Sequence, residues 1–324
     1  MFGLVSDISM GKFKRVKPHE VKVKKSVYEY VDKATIKLPI TARIKRAGAV
    51  ITETAETAKQ FAEGDKVVIK MGYNNILKVE FEGFISRINF TSPLEVECEG
   101  YSYQLRKLNL KGTYKKIELK ALLKIITAGT DIVLDNNIPS FIIDKIILQG
   151  KDGCRVLEEL KGTSKQLMRF FFDGNKLYAG LTFLSTLKTV KYKMGWNVIK
   201  DGNLKLRQAK NENYTVNWVG EKSDGTKTKV KTGNTGVVKT HVSHMITDVS
   251  TLQKLADAEH SKLSFDGYEG KITAFGIPFC QPGDKAILKD EKYLERGGNY
   301  IVENIEVVYN MSGFRRVVGI GAKL

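Results

Sequence analysis

Gly64-Asp65-Lys66-Val67-Val68-Ile69-Lys70 recurs near the other end of the chain as Gly283-Asp284-Lys285-Ala286-Ile287-Leu288-Lys289. Four of the seven positions are identical and the other three are apolar in both copies. Gly-Asp-Lys alone is ordinary turn chemistry, because glycine accepts positive φ and aspartate bonds neighbouring backbone. The surroundings strengthen the match. A helix is predicted upstream of each copy, and strands are predicted after each: Val79–Phe90 and Leu94–Cys98 in one, Tyr300–Tyr309 and Phe314–Ile320 in the other. The second copy adds a β segment, Lys271–Phe279, after its helix. This pattern predicts two similar small β-barrels flanking an unrelated module, a β-rich α+β chain. The alternative is two unrelated β domains that share a common turn. The markers of the repeat are Gly64, Asp65 and Lys66 with Gly283, Asp284 and Lys285.

Outward from the first copy, every even residue from Ala34 to Ile44 is apolar, the period of a half-buried strand, with Pro39 marking an edge or bulge. Thr52–Ala62 reads as a short helix ending at Gly64, and Asn74-Asn75 as a hairpin turn. After Leu105 the period changes. Leu119, Leu122, Leu123 and Ile126 lie on one helical face, stopped near Gly129, and a second helix is predicted over about Arg155–Lys161. Phe170–Phe172 and Leu177–Ala179 flank Asp173-Gly174 as a β-hairpin. Tyr214, Val216 and Trp218 alternate as a strand, while 219–240, rich in Gly, Thr, Ser and Lys, is expected to be a flexible arm. Ser250 is placed as the cap of a helix carrying Leu252, Leu255, Ala256, Glu259 and Leu263. The predicted domains are 1–107, 108–205 and 206–324.

The composition belongs to an ordinary globular chain: 324 residues, 42% hydrophobic and 27% charged, which excludes a disordered or fibrous protein. No apolar run is long enough for a membrane-spanning helix, and the first residues lack the pattern of a secretory signal. Cys98, Cys154 and Cys280 are odd in number and far apart, neither a disulfide framework nor a zinc site, as expected of a chain made in a reducing cytoplasm. The net charge of +17 is concentrated between residues 101 and 240. Such an excess invites a nucleic-acid reading, in which a basic β-barrel binds phosphate. No recognition helix, zinc finger or aromatic-flanked basic motif accompanies it, so docking on protein partners or simple solubility is the favoured role of the charge.

Few residues offer chemistry. His241 and His244 are spaced as two ligands with Asp248 beyond, yet no glutamate lies between them and no third His or Cys is near, so surface histidines are expected. Nucleophile-elbow, Walker and dinucleotide patterns are absent. The expectation is a protein with no catalytic residues, no metal and no cofactor. Glu95, Glu97 and Glu99 alternate with Leu94, Val96 and Cys98, so three carboxylates share one strand face about 6.6 Å apart. Like charges at that spacing require a wet face.

Three stretches carry a family resemblance. They are Phe81-Glu82-Gly83-Phe84-Ile85-Ser86-Arg87-Ile88 leading to Val96-Glu97-Cys98-Glu99-Gly100-Tyr101; Val156-Leu157-Glu158-Glu159-Leu160 through Phe172-Asp173-Gly174 to Leu177-Tyr178-Ala179-Gly180; and Gly267-Tyr268-Glu269-Gly270, Pro282-Gly283-Asp284 and Gly313-Phe314-Arg315-Arg316. Together they resemble bacteriophage tail hub proteins of the late control protein D and baseplate hub family, related to the hub part of type VI secretion spikes. The resemblance implies tube-like β-barrels over 1–107 and 206–324 and a middle module over 108–205. It implies a virion structural protein of the tail tip or baseplate, assembled in the host cytoplasm. Its partners would be two further copies in a homotrimer, the tail tube protein, a spike or tip protein and other baseplate proteins, with DNA only in transit. Two similar units in a threefold ring present six, matching a hexameric tube on one side and a trimeric spike on the other. Glu95, Glu97 and Glu99 would then line the channel and repel phosphate. The family commonly has Cys-Glu-Asp where this chain has Cys98-Glu99-Gly100. No lysozyme-like module is expected after the second barrel. The hub of a contractile injection or secretion particle is the alternative context.

Overall fold

A computed structural model describes residues 3–44, 53–181, 188–202, 204–207, 213–265 and 267–324. Alternating apolar residues build the first unit from β1 (Leu4–Met10), β2 (Glu20–Ser26), β3 (Glu29–Leu38), β4 (Thr41–Ile44), β5 (Glu53–Glu56), β6 (Lys66–Tyr73), β7 (Ile76–Asn89) and β8 (Leu94–Glu99), closed by helix α1 (Ser102–Arg106). The middle module holds β9 (Thr113–Glu118), α2 (Leu119–Thr127), β10 (Val133–Leu134), β11 (Ile142–Ile147), α3 (Gly153–Thr163), β12 (Arg169–Asp173) and β13 (Lys176–Gly180). There follow β14 (Thr189–Lys193), β15 (Val198–Lys200), β16 (Lys205–Arg207), β17 (Tyr214–Glu221), β18 (Lys227–Thr232), β19 (Val237–Ser243) and α4 (Val249–Leu263). The chain ends in β20 (Gly267–Phe275), β21 (Lys285–Lys289), β22 (Gly298–Asn310) and β23 (Gly313–Lys323).

The repeat extends well beyond seven residues. In the first unit the strands lie in the order β1-β6-β7-β8-β3-β2, and β14-β21-β22-β23-β20-β15 follows the same scheme, with β16 also on β20. One step differs: β1 runs antiparallel to β6, whereas β14 runs parallel to β21. The two Gly-Asp turns are bonded alike. Gly64 and Gly283 take φ of 90° and 92°, and their N–H groups donate to Ile85 and Val302 carbonyls, each at 2.8 Å. Asp65 Oδ2 accepts from Ala62 N at 3.0 Å, and Asp284 Oδ2 from Gln281 N at 2.8 Å. The carbonyls of Asp65 and Asp284 accept in turn from Ile85 and Val302.

The units join edge to edge. β2 pairs antiparallel with β22, Glu20 opposite Asn310 through Ser26 opposite Asn304, making one 13-stranded sheet. No pairing among the described residues closes either unit into a separate barrel. A single apolar cluster runs through both, from Ile8, Val23 and Phe81 to Val307, Phe314 and Ile320. Deep in the seam the Arg316 guanidinium meets the Glu80 carboxylate at 2.5 Å, both fully buried. Arg316 also donates to the carbonyls of Gly276 and Cys280.

The middle module has its own core of Leu119, Leu122, Leu157, Phe170 and their neighbours, and seats it on Tyr30 and Tyr101 of the first unit. α3 starts where Asp152 caps it by accepting from Arg155 N.

Five expectations differ from what is found. The helix expected over Thr52–Ala62 is instead, over 53–60, β5 followed by a short 3-10 turn, Thr57–Gln60. Pairing with β4 captures it, and Phe61 packs edge-on against Phe13 at 5.6 Å. The strand expected across Ala34–Ile44 breaks after Leu38, leaving Ile40 half exposed. The strands within 188–205, expected in the middle module, pair instead with β20 and β21 of the second unit. The stretch 219–240, expected to be a flexible arm, is the ladder β18-β17-β19. Its lysines misled: Lys227, Lys229 and Lys231 are exposed, but the intervening Val230 is buried with Val216 and Trp218 under Leu252 and Leu255 of α4. The helix expected after Ser250 forms but starts earlier, at Val249, with Asp248 as its cap and Ser250 inside its first turn.

Candidate functional site

The face of the long sheet turned away from the core is polar and continuous across both units. Pairing places Glu95, Glu97 and Glu99 of β8 beside Lys37, Thr35 and Lys33 of β3. Next come Glu20, Lys22 and Lys24 of β2, and then Asn310, Val308 and Glu306 of β22. Charge alternates along the row Glu95, Lys37 and Glu20, whereas Lys33 and Lys24 stand opposite each other. Glu20 takes Lys37 at 3.1 Å and Lys22 at 3.4 Å, which with Asn310 holds its carboxyl below the ordinary range. Lys24 meets Glu306 at 3.6 Å across the seam between units.

The three expected site glutamates do not behave as a set. Asn89 Nδ2 donates to Glu97 at 2.8 Å and to Glu95 at 3.3 Å, so these two share one amide and stay on the wet face. Glu99 is turned to α1, where Arg106 Nε donates to it at 2.8 Å and Ser102 Oγ at 2.7 Å. It anchors the junction with the middle module.

Gly100 N donates to the Asp32 carbonyl, and a Cβ at position 100 would lie 3.0 Å from that of Asp32. The acidic group beside this position comes from β3. Burial raises the Asp32 carboxyl to about 7, with Lys25 at 3.9 Å pulling the other way.

His241, His244 and Asp248 have separate tasks. His241 bonds Glu259 at 2.8 Å and lies against Trp218, His244 is exposed, and Asp248 caps α4. Among the described residues no group of His, Cys, Asp or Glu is arranged to hold a metal ion. Cys98, Cys154 and Cys280 are free and buried; burial pushes the Cys154 thiol up to about 12. No helix among the described residues is long and apolar enough to cross a membrane.

Two features escaped the sequence reading. Arg316 shares the inward phase of Phe314, Val318 and Ile320, so its burial was legible. Glu80 was not, because a bulge between Ile69 and Lys70 shifts the register opposite it. The second feature is a pair of open edges. β22 passes from β21 at Ile301 to β2 at Asn304. The matching stretch of β7, Arg87–Asn89 after Ile85, has β8 on one side and no strand on the other among the described residues. β15 and β16, the counterparts of β2, likewise have no strand beyond β20 among the described residues, apart from a single bridge between Val198 and Met194.

No family model matches the sequence, and no curated protein matches it. Solved structures do. The 43 kDa tail protein of prophage MuSo2 from Shewanella oneidensis is 13% identical, covering 99% of this chain and 98% of its own, with a TM-score of 0.66. A tail protein from Neisseria meningitidis MC58 is 12% identical over 98% of this chain and 96% of that one, at 0.67. The E. coli c3393 protein, a component of the type VI secretion system with structural similarity to T4 bacteriophage tail proteins gp27 and gp5, is 8% identical over 98% and 77%, at 0.62. At such low identity the likeness is one of architecture: over nearly its whole length this chain has the fold of phage tail proteins and of that secretion component.

Proposed function

We propose that the chain is a structural, non-catalytic hub subunit of a phage tail, three copies of which close a ring between the tail tube and a central spike. One observation carries this reading: the join made inside the chain by β2 on β22 has an unmade counterpart, β15 and β16 against Arg87–Asn89 of β7. Edges complementary to each other on one chain, and unable to meet within it, generate head-to-tail rings when the rotation closes. Three chains with two units each give six stations.

Exposed apolar residues support the same pairing. Within the chain, the β6–β7 hairpin inserts Tyr73 against Phe314, its hydroxyl donating to the Phe314 carbonyl at 3.0 Å. The matching hairpin of the second unit carries Leu294, 77% exposed, and Tyr293. The matching receiver in the first unit carries Phe90, 83% exposed, and Ile40. Each would be covered by the next subunit.

In such a ring the polar sheet face with Glu95 and Glu97 lines the bore. Its interleaved lysines keep the potential low, so phosphate is neither held nor strongly repelled. The fold likeness to a type VI secretion component keeps the injection-particle hub as the second reading. Analytical ultracentrifugation with negative-stain imaging tests the ring: a species of about three times the 36.3 kDa chain with an open centre is expected. Ile199→Glu with Leu206→Glu on the open edge should return it to a folded monomer. A wild-type protein that stays monomeric at high concentration and within purified tails would overturn the reading.

A further inference from the structure

At the seam between the two units lies an apolar groove of about 620 Å³, lined by Leu4 and Tyr73 from the first unit and Trp196, Phe275, Ile277 and Phe314 from the second. Trp196 is 75% exposed, and Ile277 and Phe275 are also open to solvent. A contiguous aromatic and aliphatic surface on so charged a chain marks a protein interface.

The repeat makes the groove countable. Its second-unit wall is built from the residues before β15, after β20 and around the β22–β23 turn. The corresponding positions in the first unit, before β2, after β3 and in the β7–β8 turn, also form a recess, of about 510 Å³. Its lining is His19, Pro39, Ile40, Thr41, Ser92 and Pro93, without a single aromatic ring other than imidazole. The location is duplicated while the chemistry is not. Of these two matching recesses among the described residues only the second-unit one is aromatic, so a ring of three would offer three such grooves.

We infer that this groove is the docking site of a threefold partner, the spike-side component, and not of the sixfold tube. The inference rests on the hub reading. The occupant must bring an aliphatic or aromatic anchor. A carboxylate should accompany it, because Arg315 stands at the mouth over the Phe275 ring and pairs with no carboxylate among the described residues.

The test replaces Trp196 by the photo-crosslinking residue p-benzoylphenylalanine, an aromatic-for-aromatic change at an exposed position, and irradiates purified tail particles. The expected adduct joins this chain to a trimeric central component, and Arg315→Glu should lower its yield about tenfold, since like charges then face each other. Particles that contain the protein but give adducts with the tube protein, or none, overturn the groove assignment and leave the hub reading standing. Particles that lack the protein overturn both. Ile40 carrying the same photo-crosslinker should not reach the trimeric component, and an equal adduct there would also defeat the inference.

Discussion

Arg316 lies on the inward phase of β23, so an alternating strand that buries Phe314 and Val318 must bury a guanidinium as well. The cost is met by Glu80 and two carbonyls, but Glu80 Oε2 has no hydrogen-bond partner among the described residues. Removing one member strands the other, so Arg316→Met is expected to lower the unfolding free energy by about 3–5 kcal/mol. The double variant with Glu80→Leu should recover much of that, as urea midpoints at unchanged m-value would show. Asp32 gives a pH signature. Burial lifts its carboxyl to about 7, against an unfolded value near 3.8, so between about pH 4 and 7 the native state holds a proton that the unfolded chain has released. This group therefore lowers stability progressively as pH rises through that window, and the full cost stands above pH 7. Melting temperatures measured from pH 5 to 8 should fall more steeply for wild type than for Asp32→Asn.

The two Gly-Asp turns are built alike but embedded differently, and that difference is measurable. Alanine at Gly64 or Gly283 must adopt positive φ, a loss of about 1–3 kcal/mol each. Asp65 caps one backbone donor at the surface, whereas buried Asp284 accepts from both Gln281 N and Lys188 N. Asp65→Ala is expected to cost about 1 kcal/mol, and Asp284→Ala two to three times as much, because a buried donor is left unpaired. Thermal unfolding of the two variants side by side decides it. Elements with a clean period were legible in the sequence: β8 from Leu94, Val96 and Cys98, the β12–β13 hairpin from Asp173-Gly174, and α2 from its leucines. The helix misread at Thr52–Ala62 shows the limit, since Ala and Glu favour a helix only until a neighbouring strand competes for the same backbone. The sixfold strand correspondence was visible in just seven residues, because a ladder is specified by inward phase and tolerates almost any outward side chain. The wet face was legible in three glutamates. Their partners, Asn89 for Glu95 and Glu97 and Arg106 for Glu99, were not, since those depend on which element lies alongside.

At the scale of the whole molecule, the proposed ring would cover four exposed apolar residues, Leu294 and Tyr293 on one subunit and Ile40 and Phe90 on the next. Leu294→Lys is expected to leave the melting temperature within a degree or two, as surface changes do, while abolishing the proposed ring in sedimentation. A variant that melts early would instead mean that Leu294 serves the subunit itself. The join of β2 to β22 also has a consequence during synthesis. At roughly 5–20 residues per second, about 280 residues separate the emergence of Ser26 from that of Asn304, so β2 waits some 15–60 s for its neighbour. Throughout that interval the nascent chain exposes an unsatisfied β-edge outside the ribosome, able to recruit the same strand of another copy on the polysome. Slow codons late in the message would prolong this exposure, and a holdase would be most useful to this protein before its last strand is made.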